Sequence, residues 1–292
     1  MSIQLHGLVP ATHTPFRADG ELNLDVVETQ AAHLQGVGIE TVFVGGSTGE
    51  SHSLTIDERL ALARRWSEVV RGTGLRLVVH VGSNCLADAR TLAAQAQEIG
   101  AAAIAALAPS YFKPRSLDEL IAGCARIAGA APGLPFYFYD IPGMTGVQLS
   151  MPEFLERAPA RVPTLAGLKF TNPDLMAYRR CLRADGGRFD LPWGVDEWLL
   201  AALAMGASGA VGSVFNFAAP VYGRLIEAFQ RGDLDAARIE QDRSIALVGL
   251  LVGFGYLPAS KVVMGLLGVD VGPARLPQAQ LTPGDGERLR QE

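Results

Sequence analysis

Eight short apolar, β-leaning runs recur along the chain: residues 5–12 (LHGLVPAT), 40–46 (ETVFVGG), 75–82 (LRLVVHVG), 102–109 (AAIAALAP), 134–142 (LPFYFYDIP), 165–171 (LAGLKFT), 189–195 (FDLPWGV) and 207–214 (ASGAVGSV). Within each run hydrophobicity is near-continuous rather than alternating. That is the mark of parallel strands buried on both faces. Between the runs lie segments with helical spacing. Three of them open on a hydroxyl with a glutamate three residues on, Thr55 with Glu58, Ser116 with Glu119 and Ser150 with Glu153. This is the spacing of a capping box, which satisfies the free N–H groups of a first helical turn. Gly38, Gly72 and Gly100 stand where helices are expected to close.

Strand and helix alternating eight times predicts an α/β fold of the (β/α)8 TIM-barrel type, for which about 225 residues suffice. An open doubly wound sheet is the alternative, and it would carry a phosphate loop after its first strand. VPATHTPF is no such loop, and neither GxGxxG nor GxxxxGK[ST] occurs. Residues 221–232, 233–255 and 258–268 read as further helices. The expected organisation is a barrel over residues 1–225 and a C-terminal helical region over 226–292 packed on it. The Pro-rich end reads as a loop followed by a short helix or a frayed tail.

Composition narrows the classes. Net charge is −5 with the signs interspersed, so no basic stripe marks a nucleic-acid or anionic-membrane surface. The N-terminus lacks the charged and apolar regions of a signal peptide, and the longest apolar stretches are broken by Gly and Ser. The three cysteines, Cys85, Cys124 and Cys181, are far apart and odd in number. They suit reduced thiols in a cytoplasm and read as small buried hydrophobes. His6, His13, His33, His52 and His80 show no HxH or HExxH spacing, so no metal is expected, and His80 reads as a core histidine.

Barrel chemistry sits at the C-terminal strand ends, and here these ends are polar. Lys169 lies within LAGLKFT. Desolvated there, its amine would be neutral and free to form a Schiff base with a carbonyl; the alternative is an ammonium that pairs with a carboxylate or reaches water. GGSTGE offers backbone amides with the Ser47 and Thr48 hydroxyls, either a carboxylate-binding nest or an ordinary glycine-rich turn. Tyr139 is a candidate proton shuttle or a core tyrosine. Asp196 and Glu197 can bind substrate hydroxyls and also begin a helix.

GGSTGES, YDIPGMTG, GLKFT and GVDEWLLAALAMGASGAVGSVFN together resemble the superfamily of N-acetylneuraminate lyases and dihydrodipicolinate synthases, and GPARLP extends the likeness toward the C-terminus. The resemblance implies a Schiff-base (class I) aldolase without cofactor or metal. The lyase branch fits best, because the synthase branch usually has an arginine where this chain has Met144. Carried over, Lys169 forms the imine with the keto acid, Ser47 and Thr48 hold its carboxylate, and Tyr139 moves the proton at the C4 hydroxyl. Tyr111 reaches into a neighbouring subunit's site and completes a hydrogen-bond chain through Ser47. Thr171, Gly194, Asp196, Glu197 and Ser213 contact the polyol tail. The implied reaction is reversible cleavage of N-acetylneuraminate to pyruvate and N-acetylmannosamine by a cytoplasmic homotetramer. The alternatives are an aldolase or dehydratase for another 2-keto-3-deoxy sugar acid, a dihydrodipicolinate synthase, and a non-catalytic keto-acid sensor. Asp140 stands where relatives commonly have Asn or His, and Phe215 and Phe217 flank Asn216. Asp140 is expected to add negative charge near the mouth unless it faces away or pairs with a cation, and the two phenylalanines to narrow or simply line the site.

Overall fold

A computed structural model describes residues 4–292. Among these residues seven strands are regular: β1 (Gly7–Pro10), β2 (Thr41–Val44), β3 (Arg76–His80), β4 (Ala103–Leu107), β5 (Phe136–Asp140), β6 (Leu165–Phe170) and β7 (Gly209–Gly212). β2 to β6 pair in parallel in chain order, and β1 pairs in parallel with β7. The run 189–195, expected as a strand, is instead an irregular segment held by isolated bridges, Asp190 to Gly167 and Trp193 to both Phe170 and Ala210. Pro192 lies at its centre and has no N–H to donate to a ladder. The segment still closes the wall. Phe170 N–H donates to the Pro192 carbonyl at 3.0 Å, and Val211 N–H to the Trp193 carbonyl at 2.7 Å. On the other side Thr12 N–H donates to the Phe43 carbonyl at 3.0 Å, which joins β1 to β2. The barrel is thereby continuous around its circumference.

Side chains alternate across this wall. Phe43, Val78, Ala105, Tyr137, Tyr139 and Val211 fill the interior. Val42, Val79, Ile104, Phe138, Leu168 and Phe170 face outward onto helices. The helix Ile56–Val70 shows why the layer holds. Thr55 and Glu58 form the complete capping box at its start, and Leu62, Ala63 and Trp66 bury one face. Burying a side chain the size of Leu62 contributes roughly 1.5–3 kcal/mol. Before the helices Leu117–Ala128 and Met151–Arg157, Ser116 and Ser150 do cap, but the glutamates turn elsewhere. Glu119 accepts from Arg115 N–H, and Glu153 pairs with Arg157. Gly38, Gly72 and Gly100 take φ of 80°, 79° and 76° beyond their helices.

The C-terminal helices are Phe215–Gln230, Leu234–Gly253, Tyr256–Leu266 and Pro283–Gln291. The first of them crosses position 225, so the expected division at that residue falls within a helix. No single helix among the described residues is long and apolar enough to cross a membrane. The region is bolted to the barrel mouth. Lys261 pairs with Glu50 at 2.7 Å, both side chains almost wholly buried, and also donates to the Thr14 and Pro273 carbonyls. Arg275 N–H donates to Glu50 at 2.7 Å, while its guanidinium grips Glu58 and the Gly20 carbonyl. Glu50, at φ +54°, ends the loop after β2.

Candidate active site

A cavity of about 450 Å³ opens at the C-terminal ends of the strands. Ser47, Thr48, Tyr139, Lys169, Thr171, Gly194, Asp196, Glu197 and Ser213 all line it. Of the residues expected in the site, Tyr111 alone lies elsewhere. Its side chain is 79% exposed on the loop after β4, stacked edge-on against the 85% exposed Phe112 at 4.9 Å.

Lys169 projects inward beside Tyr139, because β6 and β5 pair these two residues in register. It is 4% exposed. Its Nζ sits 4.1 Å from the centroid of the Tyr139 ring and 4.6 Å from that of Phe43. No hydrogen bond or ion pair to a described residue holds it. The alternative reading of a paired structural lysine is therefore not what the geometry presents. An amine at the floor of a cavity, bounded by aromatic faces, is presented to whatever carbonyl enters.

Ser47 Oγ lies 3.4 Å from Tyr139 Oη, which links the loop after β2 to the tyrosine beside the lysine. Opposite them, Asp196 tucks its carboxylate over Gly212, where a Cβ would lie 1.8 Å from Oδ1. Asp196 Oδ2 accepts from Val214 N–H at 3.2 Å, and Oδ1 is buried without a partner. Burial pushes this carboxyl up to about 7, with Glu197 adding to the rise, while the Val214 bond and Lys169 oppose it. Thr171 Oγ1 is likewise buried without a partner, and a Cβ on Gly194 would lie 1.9 Å from it. These two unpaired polar atoms, packed against glycines beside the cavity, leave hydrogen-bonding capacity unused in its wall. The carboxylates do begin a helical stretch as expected, the turn Asp196–Trp198 leading into Leu199–Met205.

Several expectations are corrected. Asp140 follows Tyr139 on a pleated strand and so faces outward. It lines a separate cavity with Asn172, Asp174 and Arg180, and accepts from Asn172 Nδ2 at 3.3 Å. Its charge is not added to the mouth. Phe215 and Phe217 do not line the site; they belong to the helix Phe215–Gln230, and Phe215 packs edge-on against Tyr222. Cys124 and Cys181 are buried, with their thiols pushed up to about 12 chiefly by desolvation, but Cys85 is exposed. The sequence reading missed the outer wall, which Val248, Val252, Tyr256, Leu257 and Gln278 supply. Tyr256 Oη lies 2.5 Å from Ser213 Oγ. The lone phenol after the helix-breaking Gly255 was the only available signal.

Residues 4–291 match the Dihydrodipicolinate synthetase family, and the chain belongs to that family. Among its relatives, N-acetylneuraminate lyase of Mus musculus is 40% identical over 283 residues, spanning 96% of this chain and 88% of that protein. N-acetylneuraminate lyase (sialic acid aldolase) from Aliivibrio salmonicida superposes with a TM-score of 0.96 at 41% identity, covering 99% of this chain and 96% of that one. The Proteus mirabilis N-acetylneuraminate lyase gives the same TM-score, 0.96, at 40% identity, over 99% and 97% of the two chains.

Proposed function

We propose that this chain is a Schiff-base aldolase that reversibly cleaves N-acetylneuraminate to pyruvate and N-acetylmannosamine. The observation that carries the reading is Lys169, buried, its amine without a hydrogen bond to any described residue, facing a cavity shared with Tyr139, Ser47 and Thr48. In this mechanism the Lys169 amine adds to the C2 carbonyl of the open-chain keto acid and, with uptake of one proton from solvent, water leaves, giving a protonated imine. The imine draws in the electron pair of the C3–C4 bond as it breaks. Tyr139 Oη takes the proton of the C4 hydroxyl while passing its own to the keto-acid carboxylate, as C4 becomes the aldehyde, and that proton is then delivered to C3 of the enamine. Hydrolysis returns pyruvate and the free amine. Ser47 and Thr48 receive the keto-acid carboxylate.

The sugar end is argued from the opposite wall. Asp196, Glu197, Thr171 and Ser213 offer a concentration of hydrogen-bonding groups that a short keto acid would not need. Met144 at the cavity rim supplies no cation for a second carboxylate, which favours the lyase branch over the synthase branch. Relatives named for this lyase at about 40% identity support the same choice. The reading includes a cytoplasmic homotetramer in which Tyr111 serves a neighbouring subunit's site, and the exposed Tyr111–Phe112 pair supports it.

Borohydride trapping tests the chemistry. Incubated with pyruvate and then reduced, the protein should gain the mass of reduced pyruvate on the peptide carrying Lys169, and Lys169→Ala should gain none. Absence of the adduct on folded wild-type protein overturns the reading. Release of pyruvate from N-acetylneuraminate, but not from 2-keto-3-deoxy acids lacking the glycerol tail, checks the substrate.

A further inference from the structure

His80 is the last residue of β3 and points into the barrel one layer below the cavity, 1% exposed. Both ring nitrogens are engaged. Nδ1 lies 2.8 Å from the Gly45 carbonyl oxygen, and Nε2 lies 3.3 Å from the Leu107 backbone nitrogen. A peptide N–H can only donate and a carbonyl can only accept. The ring must therefore be neutral, with its proton on Nδ1 and a lone pair on Nε2. Burial, the nearby Arg59 guanidinium and His52 all oppose the imidazolium, consistent with this state. Gly82 makes room for the arrangement, since a Cβ there would lie 2.8 Å from both His80 Nε2 and Leu107 N.

What the ring touches is the machinery of the proposed reaction. Gly45, at φ +71°, opens the loop that carries Ser47 and Thr48. Fixing its carbonyl fixes the plane of the next peptide, because the peptide bond is rigid. On its other side the imidazole stands edge-on to Tyr139, with centroids 5.8 Å apart at 89°, and lies 6.1 Å from Phe43. These are the two rings that bound Lys169 Nζ. The strand end beneath is itself pinned, because Arg59 donates to the His80 and Gly82 carbonyls at 2.9 Å each.

We propose that His80 is a positioning residue of the aldolase site, a neutral Nδ1-protonated spacer that sets the carboxylate-binding loop through Gly45 and the Tyr139 ring through edge contact. It makes no contact with substrate and moves no proton. The proposal rests on the aldolase reading, and wild-type borohydride trapping separates the two: if wild type traps no pyruvate, that reading has failed.

Two substitutions divide the two contacts. His80→Asn keeps an N–H donor for Gly45 and loses the ring. His80→Phe keeps the ring and loses both hydrogen bonds. The loop contact predicts that His80→Phe raises the KM for the keto acid by roughly ten- to a hundredfold, with kcat much less affected. The ring contact predicts the reverse for His80→Asn, a lowered kcat at near-native KM. A general loss of stability would move both variants alike. Equal KM changes in the two variants, or kinetics unchanged in folded His80→Phe, overturn the proposal. Imidazole ¹⁵N shifts of the wild-type enzyme give an independent check even where a variant does not fold. His80 should show a protonated Nδ1 and a bare Nε2, and the opposite tautomer or an imidazolium refutes the assignment.

Discussion

Asp140 and Asp196 carry the same carboxyl, and burial pushes both up to about 7, yet they sit on opposite sides of the barrel wall. The difference was legible in the sequence. A strand alternates its faces, so an inward Tyr139 requires an outward Asp140. It follows that Asp140 bears on stability and not on catalysis. In the unfolded chain this carboxyl ionises near its ordinary 3.8, and in the folded chain near 7. Between those values the folded state keeps a proton that the unfolded state releases. Stability therefore falls as pH rises from about 4 to about 7 and stays reduced above it. Asp140→Asn removes the penalty while keeping an oxygen to accept from Asn172. Chemical denaturation should show little change at pH 4 and a stabilisation at pH 8 of up to the order of 4 kcal/mol. The kcat and KM should be unaltered, and a variant with damaged kinetics would show that Asp140 does communicate with the site. The unpaired Asp196 Oδ1 and the Tyr256–Ser213 contact were not legible at this scale. They depend on residues 16 to 43 positions apart meeting at a mouth whose shape no local pattern encodes.

Among the elements, the sequence pattern located every regular strand and failed at one. FDLPWGV has the hydrophobicity of a buried strand, and its side chains are buried as that predicts, with Trp193 at 0% exposure. Hydropathy reports burial, whereas a ladder needs N–H groups in register, which Pro192 interrupts. The helix starts carry the same lesson, because the spacing of a hydroxyl and a glutamate does not decide which backbone N–H the glutamate reaches. The loop after β2 shows the largest long-range dependence. Its Glu50 is held in the left-handed region by Lys261 and Arg275, both from the C-terminal region. Desolvation lowers the Lys261 ammonium and Glu50 opposes that drop, as suits a buried pair. Lys261→Met strands a buried carboxylate and should cost about 3–5 kcal/mol in urea denaturation. Removing both charges, as in Glu50→Gln with Lys261→Met, should recover a substantial part of that loss. A double variant no more stable than the single one would mean that the helix packing, and not the ion pair, anchors the loop.

For the whole molecule, the closed barrel and its C-terminal cover account for every expected site residue but one. Tyr111 stands on the surface beside Phe112, outside the cavity of its own chain. Two adjacent aromatic side chains left that exposed support the proposed assembly, in which they would lie under a partner. Sequence spacing carried Tyr111 into the site only through resemblance, because no single-chain pattern can specify a contact made between chains. The proposed assembly makes a prediction that a monomer cannot satisfy. Lys169→Ala lacks the amine in every subunit, and Tyr111→Ala lacks the partner's phenol at every site, so each variant alone should be nearly inactive. When the two are unfolded together and reassembled, a mixed pair of subunits contains one site with the intact Lys169 of the Tyr111→Ala chain and the intact Tyr111 of the Lys169→Ala chain. Half of randomly formed pairs are mixed and each has one such site, so about a quarter of wild-type activity should return. Light scattering on the same sample should give the mass of four chains. If activity fails to return although the subunits demonstrably mix, Tyr111 serves no neighbouring site, and the hydrogen-bond chain through Ser47 ends within one subunit at Tyr139.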